Sequence, residues 1–106
     1  MRIGVGLPTS TPGGGAALLV DWARAAERLG FTSLGVVDRL VYDCWEPMVA
    51  LAAAGAVTER PRLVTMILIG PLRDTAALAR QAATLQAISN GRLVLGLGIG
   101  ARHDDY

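Results

Sequence analysis

Residues 63–69, with the sequence LVTMILI, form an uninterrupted apolar run that decides the fold of this chain. Similar runs recur at intervals of about thirty residues, as IGVGL from Ile3, SLGVV from Ser33 and LVLGLGI from Leu93. Apolar runs without polar alternation are typical of parallel strands that are buried on both faces of a sheet. A regular period of this length indicates repeated supersecondary units.

The stretches between these runs have the features of helices. Gly30 suits the C-terminal cap of a first helix, and Pro47 suits the first turn of a second helix that extends to about Thr58. Asp74 suits the N-cap of a third helix, which Asn90-Gly91 ends. The apolar positions follow helical spacing at Leu18, Trp22, Ala25 and Leu29 in the first helix and at Leu78, Ala82 and Leu85 in the third.

The chain is therefore predicted to alternate four strands with three helices, in the order β-α-β-α-β-α-β, as an α/β fold with a parallel sheet. Two architectures fit this order: an open doubly wound sheet and part of an eight-fold β/α barrel. Eight units of about 30 residues would make roughly 240 residues, close to the usual barrel size of about 250. We expect residues 1–106 to form one partial domain with no internal boundary.

The composition of the 106 residues excludes several classes of protein. The basic residues are all arginines scattered along the chain, and the net charge is only +1, so we expect no nucleic-acid partner and no membrane partner. Pro8 and Pro12 interrupt the longest uncharged stretch, which leaves no apolar span long enough for a membrane. The single cysteine, Cys44, excludes an internal disulfide, and no residues have metal-ligand spacing, so we expect a cytoplasmic protein without a metal site.

The carboxyl ends of the strands carry the chemistry in both architectures, so the residues there are the candidates for a site. Asp38 follows the second strand, and its carboxylate could bind a ligand N–H or hydroxyl, pair with Arg39, or cap local backbone. The alternating glycines of residues 96–100 allow close approach to the backbone of the fourth strand. His103, the only histidine, follows that strand as a candidate acid–base group or a surface residue.

Four stretches together resemble the luciferase-like monooxygenase family, whose members are flavin- or deazaflavin-dependent (β/α)8 oxidoreductases. They are RIGVGLP from Arg2, AAERLGFTSLGVVDR from Ala25, EPMVALAAAGAVTERPRLVT from Glu46 and PLRDTAALARQAATLQAISNGRLVLGLGIGARHDDY from Pro71. The last stretch is the most specific, and its R-x-D-D-Y ending is most similar to members grouped with coenzyme F420 enzymes. The resemblance implies that the chain is the first half of a TIM barrel.

The resemblance also implies a cofactor, either F420 or FMN, and the residues that contact it. By their positions in the family's motifs, the cofactor-binding residues are Asp38, Met66, Ile67, Ile69, Ile99 and Gly100. The family commonly has a non-prolyl cis peptide in strand three, which the resemblance places at about Met66–Ile67. There it would support the concave face of the flavin-type ring.

The catalytic residues implied by the resemblance are Arg39 and His103. The family often has a histidine directly after the strand-two aspartate, and this chain has Arg39 at that position. An arginine there could stabilise negative charge on a reduced cofactor or a substrate. The sugar-phosphate dehydrogenase branch carries a glutamate where this chain has Ala101, which argues against that substrate.

The implied function is that of the N-terminal portion of a flavin- or F420-dependent oxidoreductase or monooxygenase, which performs hydride transfer on a small organic substrate. In the family, later β/α units hold most of the cofactor's phosphate tail. We therefore expect a fragment or truncated product that binds cofactor poorly and is inactive alone, completed by the other half of the barrel or by self-association. The alternative is a non-catalytic β/α module that binds a ligand or self-associates.

Overall fold

A computed structural model describes all of residues 1–106. The strands are β1 Gly4–Gly6, β2 Ser33–Val36, β3 Arg62–Thr65, β4 Leu68–Ile69, β5 Leu93–Val94 and β6 Leu97–Gly98. The helices are α1 Ala16–Arg28, α2 Pro47–Ala56 and α3 Thr75–Ile88, with short 3-10 turns at Gly70–Leu72 and His103–Asp105. None of these helices combines the length and the apolar character that crossing a bilayer requires.

All the strand pairs are parallel, which confirms the predicted β/α order. Strands β1, β2, β3 and β5 form one sheet in that order, and β4 pairs with β6 in a second, two-stranded sheet. Leu34 of β2 lies opposite Val5 on one side and Leu63 on the other, and Leu63 lies opposite Leu93. Each helix therefore connects neighbouring parallel strands, as the thirty-residue period predicts.

The third and fourth apolar runs are each interrupted, whereas the sequence predicted continuous strands. The Thr65 hydroxyl donates a hydrogen bond to the Gly96 carbonyl at 2.8 Å and accepts one from the Gly96 N–H at 2.7 Å. The Thr65 side chain thus makes the hydrogen bonds to Gly96 that a backbone group would make in a regular ladder. Pairing with the fourth run resumes where the Leu68 N–H donates to the Gly96 carbonyl at 2.9 Å, while the Met66 N–H still donates to the Val36 carbonyl of β2 at 2.7 Å.

The predicted helix ends are close to the observed ones. Asp74 caps α3, because its carboxylate accepts a hydrogen bond from the Ala77 N–H at 2.8 Å. Gly30 follows the end of α1 with a φ of +89°, a left-handed conformation that favours glycine. Helix α2 ends two residues before Thr58, whose hydroxyl turns back to donate to the Ala54 carbonyl at 2.7 Å.

The hydrophobic core lies between the helices and one face of the sheet. Its buried members are Leu7, Leu19, Ala23, Ala26, Leu34, Val36, Met48, Ala50, Leu51, Ala54, Leu63, Leu68 and Leu85. In α1, however, the predicted apolar row is not the buried one, since Trp22 and Leu29 are 42% and 71% exposed. The small side chains of Ala23 and Ala26 lie against the core instead, which lets the helix approach closely and leaves the larger row at its side.

The other face of the sheet is open. Val94 of β5 is 39% exposed, and Val37 and Met66, which directly follow β2 and β3, are 45% and 62% exposed. Consecutive residues of β2 and β4 are buried, as predicted for strands covered on both faces, whereas β1 and β5 are more exposed than that prediction implies. Parallel β/α crossovers are right-handed, and three crossovers in the same direction along the sheet place all three helices on the same face.

Candidate functional site

A cleft of about 620 Å³ lies at the carboxyl ends of the strands. Three segments line it, namely residues 37–39 after β2, residues 66–69 around β4 and residues 98–102 after β6, together with Asp105. The predicted site residues found in its walls are Asp38, Arg39, Met66, Ile67, Ile69, Ile99 and Gly100. The fold thus brings all the predicted site residues except His103 to one place.

The segment around Met66 supplies aliphatic surface to the cleft. The Met66–Ile67 peptide bond is cis, which confirms the position that the resemblance implies. The side chains of Met66 and Ile67 are well exposed, at 62% and 52%. Met66 lies across Gly35 of β2, where an added Cβ would stand only 2.9 Å from the Met66 sulfur. A residue without a side chain at position 35 therefore makes room for Met66.

The glycine-rich segment after β6 keeps another wall of the cleft thin. A Cβ added to Gly98 would stand 3.1 Å from Cδ1 of Ile67, and one added to Gly100 would stand 2.9 Å from Cγ2 of Ile69. Gly100 also has a φ of +76°, which L side chains rarely adopt. The Tyr106 hydroxyl donates a hydrogen bond to the Ile99 carbonyl and so anchors this segment.

Asp38 is fixed by hydrogen bonds within the chain. Its carboxylate accepts one from the Ile69 N–H at 2.9 Å and two from the Arg73 guanidinium at 3.0 and 3.3 Å. Its side chain is only 10% exposed. Neither pairing with Arg39 nor capping of local backbone is observed: Asp38 pairs with Arg73 and binds the backbone of Ile69, 31 positions away.

Arg73 joins the loop after β2 to the start of α2. Its Nη1 donates to Glu46 at 2.7 Å, and Glu46 in turn caps α2 by accepting from the Val49 N–H at 2.8 Å. Burial lowers the pKa of the Arg73 guanidinium, but the hydrogen bonds to Glu46 and Asp38 raise it more, so its pKa lies above the ordinary value. A permanent cation therefore holds both carboxylates.

Arg39 belongs to a second cluster of charges. Its Nε lies 3.0 Å from both carboxylate oxygens of the buried Asp105, and its Nη2 lies 3.3 Å from Asp104. The Tyr42 ring stacks on the guanidinium at 4.2 Å. The hydrogen bond to Asp105 raises the pKa of Arg39, and the hydrogen bond from Arg102 lowers the pKa of Asp104. The cluster is thus a balanced set of two cations and two anions.

His103 is the predicted site residue that the fold does not bring into the cleft wall. It begins the 3-10 turn after β6, and its side chain is exposed. Only its backbone carbonyl is bonded, accepting from the Tyr106 N–H at 3.2 Å. A catalytic role for His103 stays a prediction.

Two residues of the site, Arg73 and Asp105, were not predicted from the sequence. Arg73 directly precedes the N-cap Asp74, and that position at the junction of a strand and a helix is a usable signal. Asp105 lies in the R-x-D-D-Y ending, but its burial against Arg39 depends on the 3-10 turn that folds the ending back. The contact between Arg39 and Asp105 joins residues 66 positions apart, so no local sequence pattern indicates it.

Comparison with known proteins places the fold and the cleft in context. A sequence model of the family described as luciferase-like monooxygenase matches residues 1–106. An F420-dependent glucose-6-phosphate dehydrogenase of Intrasporangium calvum is 37% identical over 105 residues, which cover 91% of this chain and 31% of that protein.

Solved structures of flavin- and F420-dependent enzymes also match the fold of this chain. The oxygenating constituent of 3,6-diketocamphane monooxygenase from Pseudomonas putida, a type II Baeyer-Villiger monooxygenase in complex with FMN, superposes with a TM-score of 0.84 at 28% identity, covering 98% of this chain and 31% of that one. The coenzyme F420-dependent tetrahydromethanopterin reductase of Methanopyrus kandleri superposes with a TM-score of 0.79 at 27% identity, covering 94% and 27%. These neighbours are TIM-barrel enzymes, which confirms the predicted fold class; this chain spans about a third of their length.

Proposed function

Because the chain belongs to the luciferase-like monooxygenase family, we propose that it is part of a flavin- or F420-dependent oxidoreductase and that its cleft binds the cofactor ring. One observation carries this proposal: residues from three loops converge on one cleft at the carboxyl ends of parallel strands, where β/α barrels place their active sites. The residues proposed to contact the cofactor are Asp38, Met66, Ile67, Ile69, Ile99 and Gly100.

The walls of the cleft suit a flat and largely apolar ring. Ligand sites typically combine apolar surface with a few fixed polar groups. Met66, Ile67 and Ile99 provide exposed aliphatic side chains, and Asp38 provides a fixed carboxylate at the wall. The missing side chain at Gly100 leaves free a space beside Ile69 that a Cβ would fill. FMN and F420 share this ring shape, so both remain candidates.

The cofactor, when bound, supplies the hydride chemistry, and the protein supplies position and electrostatics. Asp38 is proposed to shape the wall by holding the Ile69 backbone. Arg39, which Asp105 fixes beside the cleft, is proposed to stabilise negative charge on the ring or the substrate. His103 is a candidate proton donor only if the 3-10 turn carries it toward the cleft.

The chain alone is proposed to bind the ring weakly and to have no turnover. It spans about a third of the length of its relatives, and by resemblance the contacts to the phosphate tail come from other β/α units. Oxidation or reduction of a small organic substrate is therefore proposed for the complete barrel.

Optical titration of the chain with FMN and, separately, with F420 tests the proposal. We expect weak, saturable binding that Ile99→Glu abolishes, because the carboxylate would enter the apolar wall. The matched control is Val49→Glu, which places the same charge on another exposed aliphatic residue, 66% exposed on α2. Binding that is equal in the two variants, or no binding of either cofactor by a folded chain, would favour a non-catalytic β/α module.

We also propose that further polypeptide covers the open surfaces, either the rest of a barrel or a second copy of the chain. Trp22 and Leu29 of α1 are 42% and 71% exposed, and Val37, Met66 and Val94, in or directly after the strands, are exposed as well. Exposed apolar patches of this kind mark interaction surfaces. Light scattering of the purified chain tests self-association. A dimer is expected if a second copy covers these surfaces, and a monomer is expected if the rest of a barrel covers them.

A cytoplasmic location is proposed from the cysteine content. Cys44 is the only cysteine, and its thiol donates to the Arg39 carbonyl at 3.3 Å. A free thiol is typical of a reducing compartment. Fractionation of cells that produce the chain tests the proposal, and recovery in an extracellular fraction would contradict it.

A further inference from the structure

A second cleft, of about 560 Å³, lies at the opposite end of the strands from the proposed cofactor cleft. Its lining is largely polar and basic, with Arg2, Gly4, Thr32, Ser33, Arg60, Arg62, Val64 and Val94. The strand register explains this grouping, because Ser33 lies opposite both Gly4 of β1 and Arg62 of β3. Three neighbouring strands therefore present one arginine, one hydroxyl and one glycine at the same level.

The arginines of this cleft have no acidic partners. All the ion pairs of the chain are made by Arg39, Arg73 and Arg102, which lie near the other end of the strands. Glu27 lies near Arg60, and its Oε2 accepts hydrogen bonds from the backbone N–H groups of Glu59 and Arg60 at 2.8 and 2.7 Å. Three arginines therefore line one cleft without a carboxylate at ion-pair distance, and Glu27 is near enough to Arg60 for that guanidinium to lower the pKa of Glu27.

The charges of the chain are separated along the strand axis. Six of the nine carboxylates lie in the loops that follow the strands, at Asp38, Asp43, Glu46, Asp74, Asp104 and Asp105, whereas Glu27 and Glu59 lie beside Arg60. The unpaired arginines Arg2, Arg60 and Arg62 lie where β1 and β3 begin.

The hydroxyls of the cleft can complete an oxyanion site. The Ser33 hydroxyl makes no hydrogen bond within the chain, so its donor is free for a ligand. Guanidinium groups match phosphate oxygens with two parallel hydrogen bonds, and hydroxyl groups add single ones. We propose that this cleft binds a phosphate group, held by Arg2, Arg60, Arg62 and Ser33. The site is independent of the proposed cofactor cleft.

Titration with inorganic phosphate, followed by backbone amide NMR at constant ionic strength, tests the site. We expect saturable shifts at Thr32, Ser33 and Arg62, with a dissociation constant on the order of 1 mM. Titration with glycerol phosphate separates two sources of the ligand: binding of both compounds indicates recognition of a phosphate group on a larger molecule, and binding of inorganic phosphate alone indicates a site for the free ion.

Charge variants provide the decisive comparison. Arg62→Gln should weaken phosphate binding at least tenfold. Arg2→Gln, which changes a residue outside the strands, should have the same effect and provides the test if Arg62→Gln perturbs folding. Arg80→Gln is the matched control, because Arg80 is exposed on α3 and has no carboxylate partner either. Equal shifts with chloride, or phosphate binding that persists in folded Arg62→Gln and Arg2→Gln, would overturn the proposal.

Discussion

The carboxylate of Asp38 and the guanidinium of Arg73 form an ion pair at 3.0 Å across 35 positions of the chain, and the same carboxylate holds the Ile69 N–H at 2.9 Å. Ile69 lines the cleft at the carboxyl ends of the strands. Since Arg73 also holds Glu46, which caps α2, one arginine fixes the loop after β2, the loop after β4 and the start of a helix.

Replacing Arg73 by methionine should destabilise the chain. Hydrogen bonds to charged groups contribute about 1.5–3 kcal/mol, and the Asp38 side chain, only 10% exposed, would lose its cation. We expect the free energy of unfolding in urea to fall by about 2 kcal/mol. Arg73→Lys should recover part of the loss, because lysine keeps the charge without the planar fork. The same substitution at Arg80, Arg80→Met, should change little; equal losses at the two positions would refute this role.

Arg92 should contribute more to stability than any exposed arginine. Its guanidinium donates to the carbonyls of Ser89, Gly55, Thr58 and Pro61 and to the Thr58 hydroxyl, at 2.7–3.0 Å. Arg92→Leu would leave these acceptors unsatisfied, at about 1–3 kcal/mol for each buried group. We expect unfolding at markedly lower urea concentration than for Arg80→Leu. Similar midpoints for the two variants would show that solvent satisfies the carbonyls.

Glu27 should make the stability depend on pH. Partial burial raises the pKa of Glu27, but the hydrogen bonds from the Arg60 and Glu59 N–H groups and the nearby guanidiniums of Arg60 and Arg92 lower it more, so its pKa in the folded chain is depressed. Between that pKa and the unfolded value of about 4.3, the unfolded chain binds more protons. The stabilisation is therefore present above about pH 4.3 and is lost as the pH falls through the folded pKa.

Urea unfolding of wild type and Glu27→Gln at several pH values measures this contribution. At pH 7 the variant should be less stable by about 1 kcal/mol, the usual net value of a hydrogen bond. The two chains should converge in stability as Glu27 becomes protonated. A difference that does not depend on pH would mean that the charge of Glu27 contributes nothing.

Gly100→Ala should disturb the cofactor cleft through both its backbone and its side chain. The position has a φ of +76°, and the new Cβ would stand 2.9 Å from the Ile69 side chain. Gly13→Ala is the matched control, because Gly13 has a φ of +72° with nothing within 4 Å of its added Cβ. Both variants should lose stability from the backbone, but only Gly100→Ala should weaken FMN or F420 binding. Equal binding would remove Gly100 from the site.

The sequence predicts the order of elements through its thirty-residue period, and the family resemblance predicts most of the residues that line the cleft at the strand ends. The prediction fails where packing decides. In α1 the larger apolar residues Trp22 and Leu29 dominate the helical pattern, yet the buried residues are Leu19, Ala23 and Ala26, two of which are small enough for close approach to the sheet.

Contacts between distant segments are the other source of error. The partner of Asp38 is Arg73 rather than the adjacent Arg39, because the loop after β4 folds over the end of β2. Arg39 in turn pairs with Asp105, 66 positions away. Neighbouring residues in a loop that follows a strand thus form separate ion pairs, which spacing alone does not reveal.

Backbone amide NMR of the chain during titration with FMN tests the central claim most directly. If the cleft binds the flavin ring, signals of residues 38–39, 66–69 and 98–100 should shift together and saturate. Signals from the groove between α2 and α3, including Val49 and Ile88, should stay unchanged. Shifts confined to that groove, or no shift in the cleft at millimolar FMN or F420, would contradict the account.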